Sequence, residues 1–249
     1  MNATETCPIC GGSGWKIVEH EGVSGAEKCQ CADVGRAGRM TARANIPPLY
    51  EKKTLDNFEA SGDREALKKA MFDVRNYVNY YPAKVEKPGL LFIGPPGTGK
   101  THLAVAALRG LIQRGFEGVF YDFQALLNHI RSGYDAASGT MDREAYRSAL
   151  EAEILVLDDL GAHRITDWVE DTVTSIITQR CNHRRATLLT TNLRDPEAGH
   201  QRGSGPLEDM YSKYFLEERI GMRARSRLFE MCKVIVMPHI DDYRLRKRA

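Results

Sequence analysis

No apolar run in this chain approaches the roughly 18 residues that a membrane-spanning helix needs. Its strongest runs, Leu90–Ile93 and Ile154–Leu157, are four residues each. Met1 to Cys10 lack the basic stretch followed by an apolar one that marks a secretion signal. Internal repeats and low-complexity tracts are absent too, which excludes solenoid and fibrous classes. Net charge is only +2, so the chain is no uniformly basic coat for nucleic acid. These absences predict a cytoplasmic protein with no membrane partner, whose six cysteines are reduced or metal-bound rather than paired.

What is present divides into segments. The 249 residues, 42% apolar, suffice for one large domain or a medium one with an appendage. Residues 1–33 hold four of the six cysteines and read as a small zinc-binding module, followed by a linker over 34–62. Leu67, Met71, Val74, Val78 and Tyr81 recur at helical spacing, and Pro82 ends that helix. From Gly89 onward, short apolar runs alternate with helical patterns. Strands are expected at Leu90–Ile93, Val119–Phe123, Ile154–Leu157, Leu188–Thr191 and Val234–Met237. Helices are expected at about 101–114, 124–131, 142–151, 167–184 and 217–230. This alternation predicts an α/β fold, a five-stranded parallel sheet flanked by helices, over 63–249. An associated segment of this domain is expected to begin near residue 44.

Gly94, Pro95, Pro96, Gly97, Thr98, Gly99, Lys100 and Thr101 follow an expected strand and open an expected helix. This is a P-loop: glycines let backbone N–H groups turn inward around phosphate, and the helix N-terminus adds partial positive charge. Lys100 can reach the β- and γ-phosphates, the Thr101 hydroxyl can ligate Mg²⁺, and His102 continues the candidate nucleotide-binding set. Alone, the motif says only that ATP or GTP binds. Asp158 and Asp159 end an apolar strand at the edge where ligands bind in open α/β sheets. Asp158 is placed to hold Mg²⁺ and Asp159 to orient the attacking water. Asn192, after the next strand, could hydrogen-bond that water or the γ-phosphate; by itself it is an ordinary turn residue.

Cys7-Pro-Ile-Cys10 and Cys29-Gln-Cys31 are two close pairs separated by eighteen residues. Four thiolates can complete a tetrahedral Zn²⁺ shell, and a small glycine-rich segment needs such a staple to fold. His20 is a possible substitute ligand, and a disulfide pair or an iron–sulfur cluster are the rival readings. Cys181 and Cys232 sit within helix and strand patterns and are expected in the core. From Arg219 onward nine basic residues face three acidic ones. Arg219, Arg223 and Arg227 fall at i, i+4 and i+8 of the expected helix, one cationic face.

The order of Gly94–Thr101, Asp158-Asp159 and Thr190-Thr-Asn192 resembles the AAA+ ATPases, where these motifs are Walker A, Walker B and sensor 1. The usual second Walker B acid is Glu; Asp159 is one methylene shorter. Ala44-Asn-Ile-Pro47, Thr54-Leu-Asp-Asn-Phe58, Leu157-Asp-Asp-Leu-Gly161 and Gly221-Met-Arg-Ala-Arg-Ser-Arg-Leu228 resemble the DnaC/DnaI helicase-loader and IstB-like group. The resemblance covers about residues 44–249 and implies a module without a C-terminal helical lid. It implies that Arg227 completes a neighbouring subunit's site in a homo-oligomer and that Arg244 senses nucleotide in cis. It further implies a replicative DNA helicase and single-stranded DNA as partners, ATP, Mg²⁺ and Zn²⁺ as cofactors, and helicase loading as the function. An IstB-like transposition helper, or an ATP-binding adaptor with little hydrolysis, are the alternatives. DNA contacts are sought at Arg131–Arg143, including Tyr134, and at His163-Arg164; none of these residues is specific.

Overall fold

The fold is that of a computed structural model, which describes residues 7–11, 13–20, 23–59, 64–132, 141–162, 166–199, 215–240 and 242–243. The candidates Arg244, Tyr134, His163 and Arg164 lie outside the described residues.

A hairpin of β1 (Trp15–His20) and β2 (Val23–Lys28) opens the chain, paired antiparallel from Trp15↔Lys28 to His20↔Val23. The apolar pattern gives no hint of it, because most of its residues are exposed. Helix α1 (Gln30–Arg43) follows. Here the linker expected over 34–62 is corrected: Met40, Ala44 and Ile46 are buried in the main core, and the Phe120 N–H donates to Ala44 O at 2.7 Å. Their apolar side chains make this segment part of the packed domain rather than a spacer.

Helix α2 (Arg64–Tyr80) buries Leu67, Val74 and Val78, as its spacing predicts. Then come β3 (Gly89–Ile93), α3 (Lys100–Gln113), β4 (Gly118–Asp122), α4 (Phe123–Ser132) and α5 (Met141–Glu151). β5 (Ile154–Asp158), α6 (Asp167–Asn182) and β6 (Ala186–Thr191) continue the alternation. Two short helices, α7 (Glu217–Ile220) and α8 (Met222–Met231), lead directly into β7 (Cys232–Val236).

The five strands β3 to β7 form one parallel sheet in the order β4-β5-β6-β3-β7. Leu90 and Phe92 pack with α2 and α3 on one face, while Leu91 and Ile93 pack with α4, α6 and α8 on the other. Burial on both faces explains why these strands read as unbroken apolar runs rather than alternating ones. β4 ends at Asp122 instead of Phe123, because the Asp122 carboxylate accepts the Ala125 N–H at 2.8 Å and starts α4. Arg180, fully buried and with no carboxylate partner among the described residues, donates to Thr187 Oγ1 and to the carbonyls of Ala149, Leu150, Ala152 and Ala186. Burial pulls its pKa down to about 9, which still leaves it charged at neutral pH. It thereby ties the end of α5 to the starts of β5 and β6.

The helix expected over 217–230 is two helices. Gly221 breaks it with φ 80°, a left-handed conformation that a side chain resists, and a Cβ there would meet the Glu170 carboxyl. Arg219 therefore stands on α7 while Arg223 and Arg227 stand on α8, so the single cationic face is not formed.

Candidate active site and cysteine cluster

The glycine-rich loop follows β3, an interior strand beside β6, and Asp158 and Asn192 leave the same edge from β5 and β6. A parallel sheet delivers all its strand C-termini to one edge, which is why three segments distant in sequence converge. Gly99, at φ 93°, precedes α3, and a Cβ on it would lie 2.6 Å from the Phe58 ring. Gly97 is approached as closely by Asp242, and Gly97 O accepts the Tyr243 N–H at 3.3 Å.

Lys100 is 5% exposed, and its Nζ donates to Gly94 O at 2.9 Å, Pro95 O at 2.7 Å and Asn192 Oδ1 at 2.6 Å. Asn192 Nδ2 in turn donates to Asp159 Oδ1 at 3.0 Å. Lysine, amide and carboxylate form one polar chain across three strand ends. The ammonium rests on main-chain carbonyls, which a phosphate oxygen can replace.

Asp158 is nearly buried and occupied on both oxygens. Thr190 Oγ1 donates to Oδ1 at 2.6 Å and Thr101 Oγ1 to Oδ2 at 3.2 Å. Burial pushes the Asp158 carboxyl above its ordinary value; the two hydroxyls oppose this, and the negative charges of Asp159 and Asp122 add to it. The Thr190 oxygen also accepts the Asp159 N–H at 2.9 Å, so one buried hydroxyl fixes both acids. Asp159 has φ 55°, an uncommon conformation for a residue with a side chain, and this amide contact helps to hold it. Reading the strand as Thr-Thr-Asn singles out Asn192 but misses Thr190, whose side chain faces back toward β5.

The cleft beside these groups has a volume of about 550 Å³. Leu49, Tyr50, Phe58, Ile240 and Tyr243 line it together with Lys100, Asp159 and Asn192. Its apolar groups suit a base and its polar groups suit phosphates. His102 stands edge-on to Phe58, with ring centroids 5.1 Å apart, and its Nε2 lies 2.8 Å from Thr54 O. Burial lowers its pKa, so it faces the cleft as a neutral ring at neutral pH. Pro95 lies outside the cleft lining, while Pro96, Thr98 and Thr101 belong to it. Thr101 and Asp158 supply a hydroxyl and a carboxylate, hard oxygen donors that fit Mg²⁺. Arg227 does not line the cleft. It is exposed on α8, paired with Glu230 at 2.7 Å.

The sulfurs of Cys7, Cys10, Cys29 and Cys31 all lie within 4.8 Å of one another. Cys7 and Cys29 are 3.8 Å apart and Cys10 and Cys31 3.2 Å. A tetrahedral shell with Zn–S near 2.3 Å puts its sulfurs about 3.8 Å apart, so the donor set fits zinc. Backbone N–H groups of Cys10 and Ile9 lower the Cys7 pKa, whereas hydrogen bonding with Cys10 and Cys29 raises that of Cys31. Cys232 is buried in the core and Cys181 half-buried.

A five-stranded parallel sheet, a glycine loop opening a central helix, and paired acids and an asparagine on the neighbouring strands define a P-loop ATPase fold of the AAA+ class. More narrowly, the family model for IstB-like ATP binding protein matches residues 29–201, and the chain belongs to that family. The replicative helicase loader DnaC of Escherichia coli K12 is 27% identical over 156 residues, 62% of this chain and 61% of that protein. The uncharacterized protein YqaM of Bacillus subtilis is 24% identical over 176 residues, 68% of this chain and 55% of that protein. These matches span less than two thirds of each relative's length. A crystal structure of the DnaC helicase loader superposes with TM-score 0.62 at 29% identity, over 77% of this chain and 100% of that chain. One of DnaI, at TM-score 0.59 and 19% identity over 82% and 99%, shares the fold. Among the described residues, no helix is long and apolar enough to cross a membrane.

Proposed function

We propose that the chain is an ATP-hydrolysing replicative helicase loader of the DnaC/DnaI kind, which assembles on single-stranded DNA and hands over the helicase. One observation carries this reading: a DnaC-like ATPase core joined to a four-cysteine hairpin whose Ile9, Trp15 and Ile17 are 65%, 58% and 82% exposed. A small module with that much apolar surface outward suits capture of a protein.

In the cycle, Lys100 leaves its loop carbonyls for phosphate oxygens, and Asn192 shares the γ-phosphate end of the cleft. Asp159 accepts a hydrogen bond from the attacking water. Thr101 and Asp158 would hold Mg²⁺, which would supply positive charge against that developing on the phosphate oxygens. Zinc on Cys7, Cys10, Cys29 and Cys31 would shape the hairpin and take no part in hydrolysis. Arg227 faces outward and serves the site of the next subunit in a homo-oligomer; a guanidinium delivered in trans is worth roughly 10³-fold or more in rate. Family membership also supports a second reading, an IstB-like transposition helper.

A capture experiment separates the two. The immobilised full chain is offered a hexameric replicative helicase and, separately, a transposase, each with and without ATP. ATP-dependent retention of the helicase, lost in the Cys7→Ser/Cys10→Ser variant, is the expected outcome. Retention of the transposase alone overturns the loader reading.

A further inference from the structure

The arginines of α7 and α8 have different partners. Arg219 Nε donates to Gly161 O at 3.0 Å, on the turn two residues beyond Asp159. Arg225 grips Asp195 with two prongs, Nε to Oδ2 and an NH2 donor to Oδ1, both at 2.7 Å. Arg227 stays at the surface beside Glu230. Asp195 is fully buried, and its Oδ1 also accepts the Glu197 N–H at 2.9 Å. The Arg225 guanidinium lies 4.8 Å over the Phe229 ring, and Glu217 stands 3.9 Å from its Nε.

Asp195 comes three residues after Asn192, and Arg225 two residues before Arg227. The ion pair therefore joins the loop that leaves the nucleotide site to the helix that carries the outward arginine. Helix α8 is ten residues long and starts at Gly221 with no side-chain cap. A helix that short takes its orientation from tertiary anchors. A guanidinium fork on a buried carboxylate fixes rotation as well as distance, which a single ammonium contact does not. Residues two apart on a helix point about 200° apart, so turning Arg225 inward turns Arg227 outward.

We infer that Asp195 and Arg225 are positioning residues for Arg227: their paired fork sets the pose of α8 in which Arg227 reaches the site of a neighbouring subunit. This rests on the reading of Arg227 as an arginine supplied in trans. Arg219 on Gly161 O provides a second anchor at the base of the same helix pair. The pair acts on the subunit that donates the arginine and not on the one that hydrolyses ATP.

Subunit mixing tests this directionally. A donor carrying Lys100→Ala keeps Arg227 but cannot hydrolyse ATP; an acceptor carrying Arg227→Ala keeps its own nucleotide site. The parent mixture recovers turnover. Adding Arg225→Lys to the donor lowers the recovered turnover roughly tenfold or more, the scale of a misplaced catalytic group. The same change in the acceptor leaves turnover and ATP affinity as in the parent. A double variant, Asp195→Asn/Arg225→Met, removes both charges without stranding either and gives the same donor-sided loss. Thermal unfolding establishes that each variant is folded. Equal losses in donor and acceptor, or none in a folded donor, overturn the positioning role. Failure of the parent mixture to recover turnover instead sinks the trans role of Arg227, and the inference with it.

Discussion

In the parallel sheet, Leu90, Leu91, Phe92 and Ile93 of β3 are completely buried, and each such side chain contributes about 1.5–3 kcal/mol relative to an exposed one. In the hairpin, Trp15 and Ile17 of β1 are exposed, as are the residues of β2 from Ser24 to Lys28, and Cys29 at its base is buried at 1%. One region is held by its own side chains and binds a ligand as a supplement. The other has almost no core of its own, and four clustered thiols at its base offer a metal site instead. Two-stranded hairpins are marginal in water by themselves, whereas structural zinc supplies roughly 10–16 kcal/mol in comparable small modules.

Metal removal breaks the comparison most sharply. Chelation of the zinc-loaded chain, or Cys7→Ser, is expected to abolish amide-exchange protection across β1 and β2 while the sheet still unfolds cooperatively near its original temperature. Hydrogen exchange and calorimetry on the same sample check both halves. A smaller effect is expected in the sheet. Saturating ATP at a hundred times its dissociation constant stabilises a site by about 2.7 kcal/mol. Lys100→Ala should leave a folded sheet, weaken ATP binding about a hundredfold, and cut that stabilisation to about 0.4 kcal/mol at the same ATP concentration.

The finest test is titration of Asp158. Removing the Thr190 hydroxyl with Thr190→Val deletes a contact that favours the charged carboxylate, so its already raised pKa moves further up. Mg²⁺-dependent turnover needs the ionised form, so the acid limb of its pH profile should shift to higher pH, and Thr190→Ser should restore it. The stability sign is the reverse of the usual carboxylate. With its folded pKa above the unfolded value, Asp158 makes the metal-free fold less stable as pH rises through that interval.

The sheet was legible because burial on both faces leaves continuous apolar runs, and the P-loop because its glycines and lysine are bound to one spacing. The cysteine cluster was legible for a similar reason, since Cys7-x-x-Cys10 and Cys29-x-Cys31 report their shared geometry. The β1–β2 hairpin was not, because its strands are largely exposed and bury no apolar face. The break at Gly221 was hidden because one glycine costs a helix only about 1 kcal/mol against alanine, too little to interrupt a periodic pattern. The Asp195–Arg225 pair was invisible for a different reason. Its partners are thirty residues apart, and Asp195-Pro196 reads locally as a turn.

The Tyr243 hydroxyl donates to Glu59 at 2.9 Å, across 184 residues of chain, and both side chains border the nucleotide cleft. Part of the cleft wall therefore comes from segments before and after the sheet that are neither strands nor long helices. Such segments open locally at far lower free energy than the strands beneath them. Fraying of either one unseals the cleft, and an occupied cleft pins both. By linkage, a bound nucleotide and the closure of these two segments would stabilise each other.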